Sequence, residues 1–269
     1  MAVPRFLDLP RRSVKPRAAG LTHVIDKGLP LSELVPHLAT AGPFIDLWKF
    51  GWGTAYIDPA LDTKLAALRE RDVRACTGGT LLEVAWSQDK VTEFVAWAQA
   101  ARFPCIEVSR GAVPMPLDEK RDLIRLAGAV FCVFSEVGAK DPGAESSPEQ
   151  WADEVAGDLD AGASWVILEG RESGTVGLYR PDGSVRADMV EAVIGSADLT
   201  RLVFEAPRKD QQAWFINRFG SEVNLANVAL TEALGVEALR LGLRGDTVGL
   251  NAANATALTL ERAGGAGEA

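Results

Sequence analysis

The sequence predicts an α/β protein built as a single-domain (β/α)8 TIM barrel. Eight short apolar stretches, each typical of a strand buried on both faces, alternate with segments of helical periodicity along the 269 residues. Parallel strands joined by helices form either this barrel or an open doubly wound sheet. The even spacing of the units favours the barrel, and neither G-x-G-x-x-G nor G-x-x-x-x-G-K-S/T is present to support a nucleotide-binding open sheet.

The predicted strands are apolar runs that end at charged residues or glycines. In chain order they cover 22–26, 44–50, 73–76, 105–109, 130–137, the start of 165–174, 201–205 and 222–225. The sixth of them shows the pattern most fully, because its apolar first half leads into Glu169, Arg171 and Glu172 among glycines. Apolar bodies with charged tips are expected where a barrel places its chemistry at the carboxyl ends of its strands.

Helical periodicity occupies the intervals between the strands. After the fifth strand, Ser147 stands at a helix cap, with Pro148 at the first helical position and Gln150 three residues beyond the cap. Ser87 or Asp89 is placed to cap the helix after the third strand. The other predicted helices begin at Pro30 or cover 59–71, 117–126, 189–194, 210–219 and 229–241.

The two ends of the chain differ in composition from the barrel, which we assign to residues 20–250. Residues 1–19 mix prolines with basic side chains and predict a basic arm, either solvated or folded over one end of the barrel. Residues 251–269 are rich in alanine and glycine and predict a flexible tail. The basic residues of the arm include Arg11, Arg12, Lys15 and Arg17.

The composition limits the classes of function. A net charge of −9 and a pI near 4.9 argue against nucleic-acid binding and against binding to anionic membranes. Cys76, Cys105 and Cys132 lie in apolar runs and form no C-x-x-C pair, so a disulfide framework is not expected and a cytoplasmic location is. No apolar run approaches the roughly 18 residues of a membrane span, and no signal-peptide core opens the sequence.

Charged and polar residues follow nearly every predicted strand. They are Asp26 and Lys27, Lys49, Glu107 and Arg110, Glu136 and Lys140, Glu169, Arg171 and Glu172, Glu205, Arg208 and Lys209, and Asn224 and Asn227. One such residue is usually a solvated rim residue or half of an ion pair. Because the carboxyl ends of barrel strands surround one mouth, the whole set predicts an active site there.

The residue types in this set indicate a class of ligand. With only His23 and His37 in the chain, a zinc site is not supported, and no G-x-S-x-G elbow is present. Carboxylates suit a hard cation such as Mg²⁺, whereas lysine and arginine bind anionic groups. The combination suits a phosphorylated, carboxylated small molecule. The run 77–80, Thr-Gly-Gly-Thr, is either a backbone nest for an anion or a simple strand-to-helix turn.

Collinear motifs give the sequence a close resemblance to a known family, the phosphosulfolactate synthases. The motifs cover 15–17 with 20–22, 26–28, 49–54, 78–83, 135–138, 169–174, 204–207, 224–227 and 243–247. The resemblance implies a (β/α)8 barrel and Mg²⁺-dependent addition of sulfite to phosphoenolpyruvate. The product would be (2R)-3-phosphosulfolactate, an early intermediate of coenzyme M synthesis, so the enzyme would be a carbon–sulfur lyase working in the synthase direction.

The resemblance also implies roles for individual residues. Lys140 matches the lysine proposed in the family as the acid that protonates the carbon next to the substrate carboxylate. We expect the side chains that neutralise the two anions to be Lys27, Lys49, Arg171 and Lys209. We expect Mg²⁺ ligands, or groups that orient ligands, at Glu136, Glu169 and Glu205.

One position departs from the family. Where the family usually has Ser-Asp-Gly after the fourth strand, this chain has Arg110 between Ser109 and Gly111. We expect Arg110 to alter the metal geometry or to bind a different anionic nucleophile. The sequence thus leaves two alternatives to the synthase: an enzyme that adds another nucleophile to phosphoenolpyruvate or a similar enol phosphate, and a non-catalytic homologue of the heat-stress-associated type. A homo-oligomer is expected, since apolar helix faces of such barrels often pair.

Overall fold

A computed structural model describes residues 6–138 and 147–250 and confirms the predicted (β/α)8 barrel. Eight parallel strands follow one another around the barrel in sequence order, and the eighth pairs with the first. The strands are β1 (Thr22–Asp26), β2 (Leu47–Phe50), β3 (Arg74–Thr77), β4 (Cys105–Val108), β5 (Cys132–Val137), β6 (Trp165–Leu168), β7 (Leu202–Glu205) and β8 (Leu225–Ala229).

Helices on the outside of the barrel connect these strands. In the described part of the chain they are α1 (Leu31–Ala41), α2 (Thr54–Ile57), α3 (Leu61–Arg69), α4 (Gly79–Ser87), α5 (Val91–Ala100), α6 (Leu117–Gly128), α7 (Pro148–Asp160), α8 (Ala187–Ser196), α9 (Lys209–Phe219) and α10 (Ala233–Arg240). The predicted cap of α7 is confirmed: Ser147 Oγ accepts a hydrogen bond from the Gln150 amide, and the Gln150 side chain accepts one from the Ser147 amide. None of the described helices is long and apolar enough to cross a membrane.

Alternate side chains of the strands point into the barrel, and the others pack against the helices. The inward residues form an apolar interior layer made of Leu47, Cys76, Cys105, Phe134, Ile167, Val203 and Ala226. In five of these strands, a charged residue follows the interior-layer residue by two positions, toward the carboxyl end. These charged residues are Lys49, Glu107, Glu136, Glu169 and Glu205. The two-residue period of a strand therefore carries these five charged side chains to the same mouth.

The predicted bounds of the eighth strand were wrong. The eighth strand begins at Leu225 rather than at Glu222, so Asn224 precedes it at the amino end of the barrel. There the Asn224 side chain accepts a hydrogen bond from the Leu21 amide and donates to the Leu202 carbonyl, which links the segment before β1 to the start of β7. A helix that the sequence did not predict, α4, also fills the interval directly after β3.

The amino-terminal arm, from residue 6 to residue 19, lies against the amino end of the barrel. Arg12 forms ion pairs with Glu222 and Glu237, and the side chain of Arg17 pairs with Asp46 just before β2. Lys15 Nζ donates to the carbonyl oxygens of Gly42 and Asp72. Of the two alternatives for the arm, these contacts are those of a segment folded over the barrel.

Candidate active site

A cavity of about 300 Å³ opens at the carboxyl end of the barrel, above the apolar interior layer. Its charged and amide side chains are Lys49, Glu107, Glu136, Glu169, Arg171, Glu172, Glu205 and Asn227. Five carboxyl groups thus face one lysine and one arginine in the wall of the cavity. An anionic substrate can bind in this cavity only if protons or a bound cation offset part of the negative charge of the five carboxyl groups.

Lys49 is the buried cation at the centre of the wall. Its Nζ lies 3.0 Å from Glu107 Oε2 and 3.4 Å from Glu205 Oε1, and only 6% of its side chain is exposed. Burial by itself would lower the pKa of Lys49, but the charges of Glu107, Glu205 and Glu136 outweigh burial and raise the pKa well above its usual value. Lys49 is therefore a fixed positive charge.

Glu107 is a carboxyl group whose pKa this environment changes strongly. Burial raises its pKa to about 7, and the charges of Glu136 and Glu205 add to the effect, against the opposing charge of Lys49. The Gly79 amide donates to Glu107 Oε1 at 2.8 Å and holds the group in place. The pKa of Glu205 is raised in the same way, first by burial. At neutral pH the cavity wall can therefore carry a proton among its carboxyl groups.

The turn after β6 binds two of the carboxylates through its backbone. The Gly170 amide donates to Glu205 Oε2 at 3.0 Å, and the Arg171 amide donates to Glu169 Oε1 at 2.7 Å. Arg171 has a φ of 54°, in the left-handed region that residues other than glycine adopt rarely. A Cβ atom at Gly170 would lie 2.4 Å from a ring carbon of Tyr179, so this turn requires glycine.

The first turn of α4 and the loop after β4 form the opposite wall. The pair Gly78-Gly79 is a strand-to-helix turn, the simpler of the two alternatives for this run, and the Gly79 amide already binds Glu107. Further along α4, Glu83 Oε2 accepts hydrogen bonds from the amides of Ala112 and Val113 at 2.7 and 3.1 Å. Glu83 thereby shapes the loop that brings Ala112 to the cavity.

The structure brings most of the nine predicted site residues together at the cavity. Five of the nine line the cavity together: Lys49, Glu136, Glu169, Arg171 and Glu205. Lys27 lies beside it, in an adjoining cavity of about 490 Å³, where its Nζ is 2.9 Å from Glu172. Lys140 lies outside the described residues.

The other two predicted substrate-binding residues, Arg110 and Lys209, form ion pairs and are not among the cavity-lining residues. Arg110 donates two hydrogen bonds to Glu154 on α7, at 3.2 and 2.9 Å, and does not line the cavity. The side chain of Lys209 pairs with Asp246 at 2.8 Å. In the described part of the chain, the positive charge that Arg110 adds to the sequence is thus paired with the carboxylate of Glu154.

Three residues of the cavity were seen in the sequence only as members of the strand-end set and received no role: Glu107, Glu172 and Asn227. Asn227 is 5% exposed, has a φ of 54°, and its side-chain oxygen has no hydrogen-bond partner in the described part of the chain. A buried amide oxygen without a partner is costly, which points to a contact with a ligand. The sequence signal for Glu107 was its place in the alternation that also carries Glu136.

The donor chemistry of the wall fits Mg²⁺. Carboxylate oxygens are the ligands that Mg²⁺ prefers, and the wall has more of them than its cationic side chains can neutralise. In residues 6–138 and 147–250, no three acidic, histidine or cysteine side chains form a ready-made metal site. Mg²⁺ is commonly held by one or two protein carboxylates together with substrate oxygens and water. Glu136, Glu169 and Glu205 are the carboxylates that could supply the one or two protein ligands to Mg²⁺.

Sequence comparison decides the family. The model of the (2R)-phospho-3-sulfolactate synthase (ComA) family matches residues 10–246. The chain belongs to this family. The resemblance predicted from the motifs is therefore confirmed, and with it membership of a family of enzymes. The match covers the second half of the arm, all eight strands and the cavity they surround.

Curated relatives agree with the family assignment. The chain is 43% identical to a phosphosulfolactate synthase of Bacillus subtilis, over 90% of this chain and 97% of the relative. It is 41% identical to the phosphosulfolactate synthase of Methanocaldococcus jannaschii, over 86% and 94%. Identity to the protein HEAT-STRESS-ASSOCIATED 32 of Arabidopsis thaliana is 25%, over 85% of this chain and 88% of that protein.

Solved structures support the fold alone. The structure of 3-keto-L-gulonate-6-phosphate decarboxylase from Vibrio cholerae superposes with a TM-score of 0.55 at 11% identity, covering 82% of this chain and 95% of that chain.

Proposed function

We propose that the protein is a phosphosulfolactate synthase that adds sulfite to phosphoenolpyruvate and gives (2R)-3-phosphosulfolactate, with Mg²⁺ as its cofactor. The proposal rests on one observation above all: a buried lysine among carboxylates lines the mouth of a barrel that belongs to this family. It includes the lyase class, the synthase direction and a place early in coenzyme M synthesis.

The reaction requires the protein to control charge at two neighbouring carbons of phosphoenolpyruvate. A carbon–sulfur bond forms at the methylene carbon of phosphoenolpyruvate while negative charge builds on the neighbouring carbon and its carboxylate. A Mg²⁺ ion held by Glu136, Glu169 or Glu205 would supply positive charge next to that carboxylate. The neighbouring carbon then takes up a proton from one face, which completes the addition with no leaving group.

The residues of the chain contribute fixed charge and a proton. Lys49 keeps its charge at any pH near neutrality and offsets the repulsion between the two anionic substrates. Arg171 adds a second positive charge in the wall, and Lys27 and Lys209 add positive charge outside the cavity lining. Lys140 keeps the role of proton donor in this proposal, on the strength of the family resemblance.

The alternative with a different nucleophile has less support than the synthase. Its basis was a positive charge at position 110 in the mouth, and the Arg110 guanidinium pairs with Glu154 instead. The non-catalytic alternative is weaker as well, because the identity to the heat-stress-associated protein is 25% against 43% to a synthase. We therefore retain the synthase as the single proposed function.

The proposal extends to location and assembly. All three thiols are free in the structure, which supports a reducing, cytoplasmic setting. We propose a homo-oligomer that works on small-molecule substrates and binds neither nucleic acid nor membranes, in keeping with its net charge of −9.

The test is an incubation of the purified full-length protein with phosphoenolpyruvate, sulfite and Mg²⁺, followed by mass spectrometry. We expect phosphosulfolactate that requires Mg²⁺, that is lost in Lys140→Ala and that is retained in Lys90→Ala, an exposed lysine paired with Glu93. Calorimetric titration with phosphoenolpyruvate separates the alternatives. Binding without product would favour another nucleophile, whereas neither binding nor product would favour the non-catalytic protein.

A further inference from the structure

The barrel brings its three cysteines into one row. Strand pairing sets Cys76 of β3 opposite Cys105 of β4, and Cys105 opposite Cys132 of β5. Cys76 and Cys105 belong to the apolar interior layer, and Cys132 packs against that layer from the amino end of its strand. Residues far apart in the sequence thus form a line of thiols on the inner face of three neighbouring strands.

Cys105 and Cys132 have the spacing of a pair that can be joined. Neighbouring strands lie roughly 4.8 Å apart, and disulfides form between Cα atoms about 4.4 to 6.8 Å apart. Both side chains are on the inner face of the sheet. Each thiol affects the titration of the other, since their proximity raises the pKa of Cys105 and lowers that of Cys132.

The surroundings of Cys132 differ from those of the other two thiols. The hydrogen bond with Cys105 outweighs burial and, with the Ser164 hydroxyl and the Arg74 charge, lowers the pKa of Cys132 to about 7. Burial raises the pKa of Cys76 well above its usual value, and the pKa of Cys105 is also raised, first by its hydrogen bond to Cys132.

Solvent can reach Cys132. Its side chain is partly exposed, whereas Cys76 and Cys105 are buried. The described part of the arm contacts the other side of this barrel end, through Glu222, Asp46 and the Asp72 carbonyl. A small reagent therefore has a route to one thiol, with a second thiol directly behind it.

We propose that Cys132 is a modification site at which hydroperoxides oxidise the thiol, with Cys105 as the resolving cysteine. The Cys132 thiolate attacks one peroxide oxygen, the O–O bond breaks, and a sulfenic acid forms as water or an alcohol leaves. The Cys105 thiol then attacks the Cys132 sulfur, an S–S bond forms, and the sulfenic oxygen leaves as water. Two thiols lose two electrons and the peroxide gains them. The site lies at the end of the barrel opposite the cavity and does not rest on the proposed function.

The first test uses the native full-length protein without any substitution. We expect iodoacetamide at pH 7 to label Cys132 at least about tenfold faster than Cys76 or Cys105, as read by peptide mapping. Labelling of all three cysteines only after denaturation would overturn the proposal.

The second test follows the oxidation product. Treatment with hydrogen peroxide should lower the intact mass by two hydrogens and give a Cys105–Cys132 cross-linked peptide that dithiothreitol cleaves. Cys76→Ala should still form the cross-link, whereas Cys105→Ser should gain oxygen at Cys132 instead. Wild-type protein that gains only oxygen, or that forms a cross-link through Cys76, would contradict the assignment.

Discussion

Nζ of Lys49 on β2 lies 3.4 Å from Oε1 of Glu205 on β7, although 156 residues separate them in the sequence. The contact spans the mouth of the barrel, because β8 and β1 lie between the two strands. Glu107 on β4 completes the arrangement at 3.0 Å from the same nitrogen. One cation therefore neutralises carboxylates on two strands that do not touch, so its removal is expected to affect both stability and binding.

Lys49→Met should destabilise the protein in a pH-dependent way. Removing one partner of a buried ion pair costs about 3–5 kcal/mol while the remaining carboxylates stay charged. Near pH 5 the Glu107 carboxyl, whose pKa is about 7, takes up a proton, so the loss should shrink. Urea denaturation at pH 8 and pH 5 measures both values, with Lys90→Met expected to change the free energy of unfolding by less than about 0.5 kcal/mol. Equal losses at both pH values would argue against a charged cluster.

Glu107→Gln should flatten the pH dependence of stability. The pKa of Glu107 is about 7 in the folded protein against an ordinary value of 4.5 for a glutamate, so the folded state binds this proton more tightly than the unfolded chain does. The resulting stabilisation is complete below pH 4.5 and disappears as the pH rises through 7. Wild-type protein should therefore lose about 3 kcal/mol from this group between those limits, and the variant should not.

The control for Glu107→Gln is the variant Glu70→Gln, because Glu70 is an exposed glutamate. This control should keep the wild-type profile of unfolding free energy against pH. If Glu107→Gln kept it too, the proton would have to reside on another carboxyl group of the cavity.

Asn227→Gly should separate stability from binding. Asn227 has a φ of 54°, which glycine adopts more readily, and its buried oxygen has no partner in the described residues. The free energy of unfolding should therefore stay the same or rise by about 1 kcal/mol. Affinity for phosphoenolpyruvate should fall about tenfold, as expected for the loss of one hydrogen bond.

The control for Asn227→Gly is Asp72→Gly, which relaxes a φ of 52° at the other end of the barrel. Calorimetric titration should show wild-type affinity in this variant. A variant at Asn227 that binds phosphoenolpyruvate as wild type does would remove the residue from the substrate site.

Arg110→Ala should leave the substrate site intact. The guanidinium pairs with Glu154, and 38% of its side chain is exposed, so the change should cost about 1 kcal/mol or less of stability. Affinity for phosphoenolpyruvate should stay within about twofold of wild type, whereas Lys49→Met should lose at least about tenfold. A large loss in Arg110→Ala would restore the role predicted from the sequence.

Gly170→Ala should be destabilising by about 1–3 kcal/mol, because its Cβ would meet the Tyr179 ring at 2.4 Å and the Glu205 carbonyl at 2.9 Å. Activity should fall with it, since the Gly170 amide positions Glu205. Gly195→Ala in α8 is the matched change, with open space around the added carbon, and should raise stability by about 0.5–1 kcal/mol. Urea denaturation of the pair measures the difference.

The fold was predictable because a strand buried on both faces is an apolar run whatever surrounds it. The weakest prediction, β8, concerns the run Leu-Ala-Asn-Val-Ala, in which small and polar residues interrupt that signal. Lys49 and Glu205 were predictable as site residues because each ends a strand, and strand ends meet in a barrel.

The orientation of side chains was not predictable in the same way. Arg110 follows its strand just as Lys49 lies at the end of one, but its partner Glu154 lies 44 residues away on a helix whose position depends on the assembled barrel. The cysteine row likewise depends on strand register, which sets Cys105 opposite Cys132 and is not visible in the spacing of the sequence.

Arg12 joins the amino-terminal arm to α10, the last of the described helices. Its guanidinium binds Glu237, which lies 225 residues later in the sequence. The seam between β8 and β1 lies at the same end-to-end junction and stays open until β8 has been synthesised. A nascent chain that stops before β8 leaves the edges of β1 and β7 unpaired, and exposed edges associate with other unfinished chains. Truncation before β8 would thus yield an aggregating polypeptide rather than a smaller barrel.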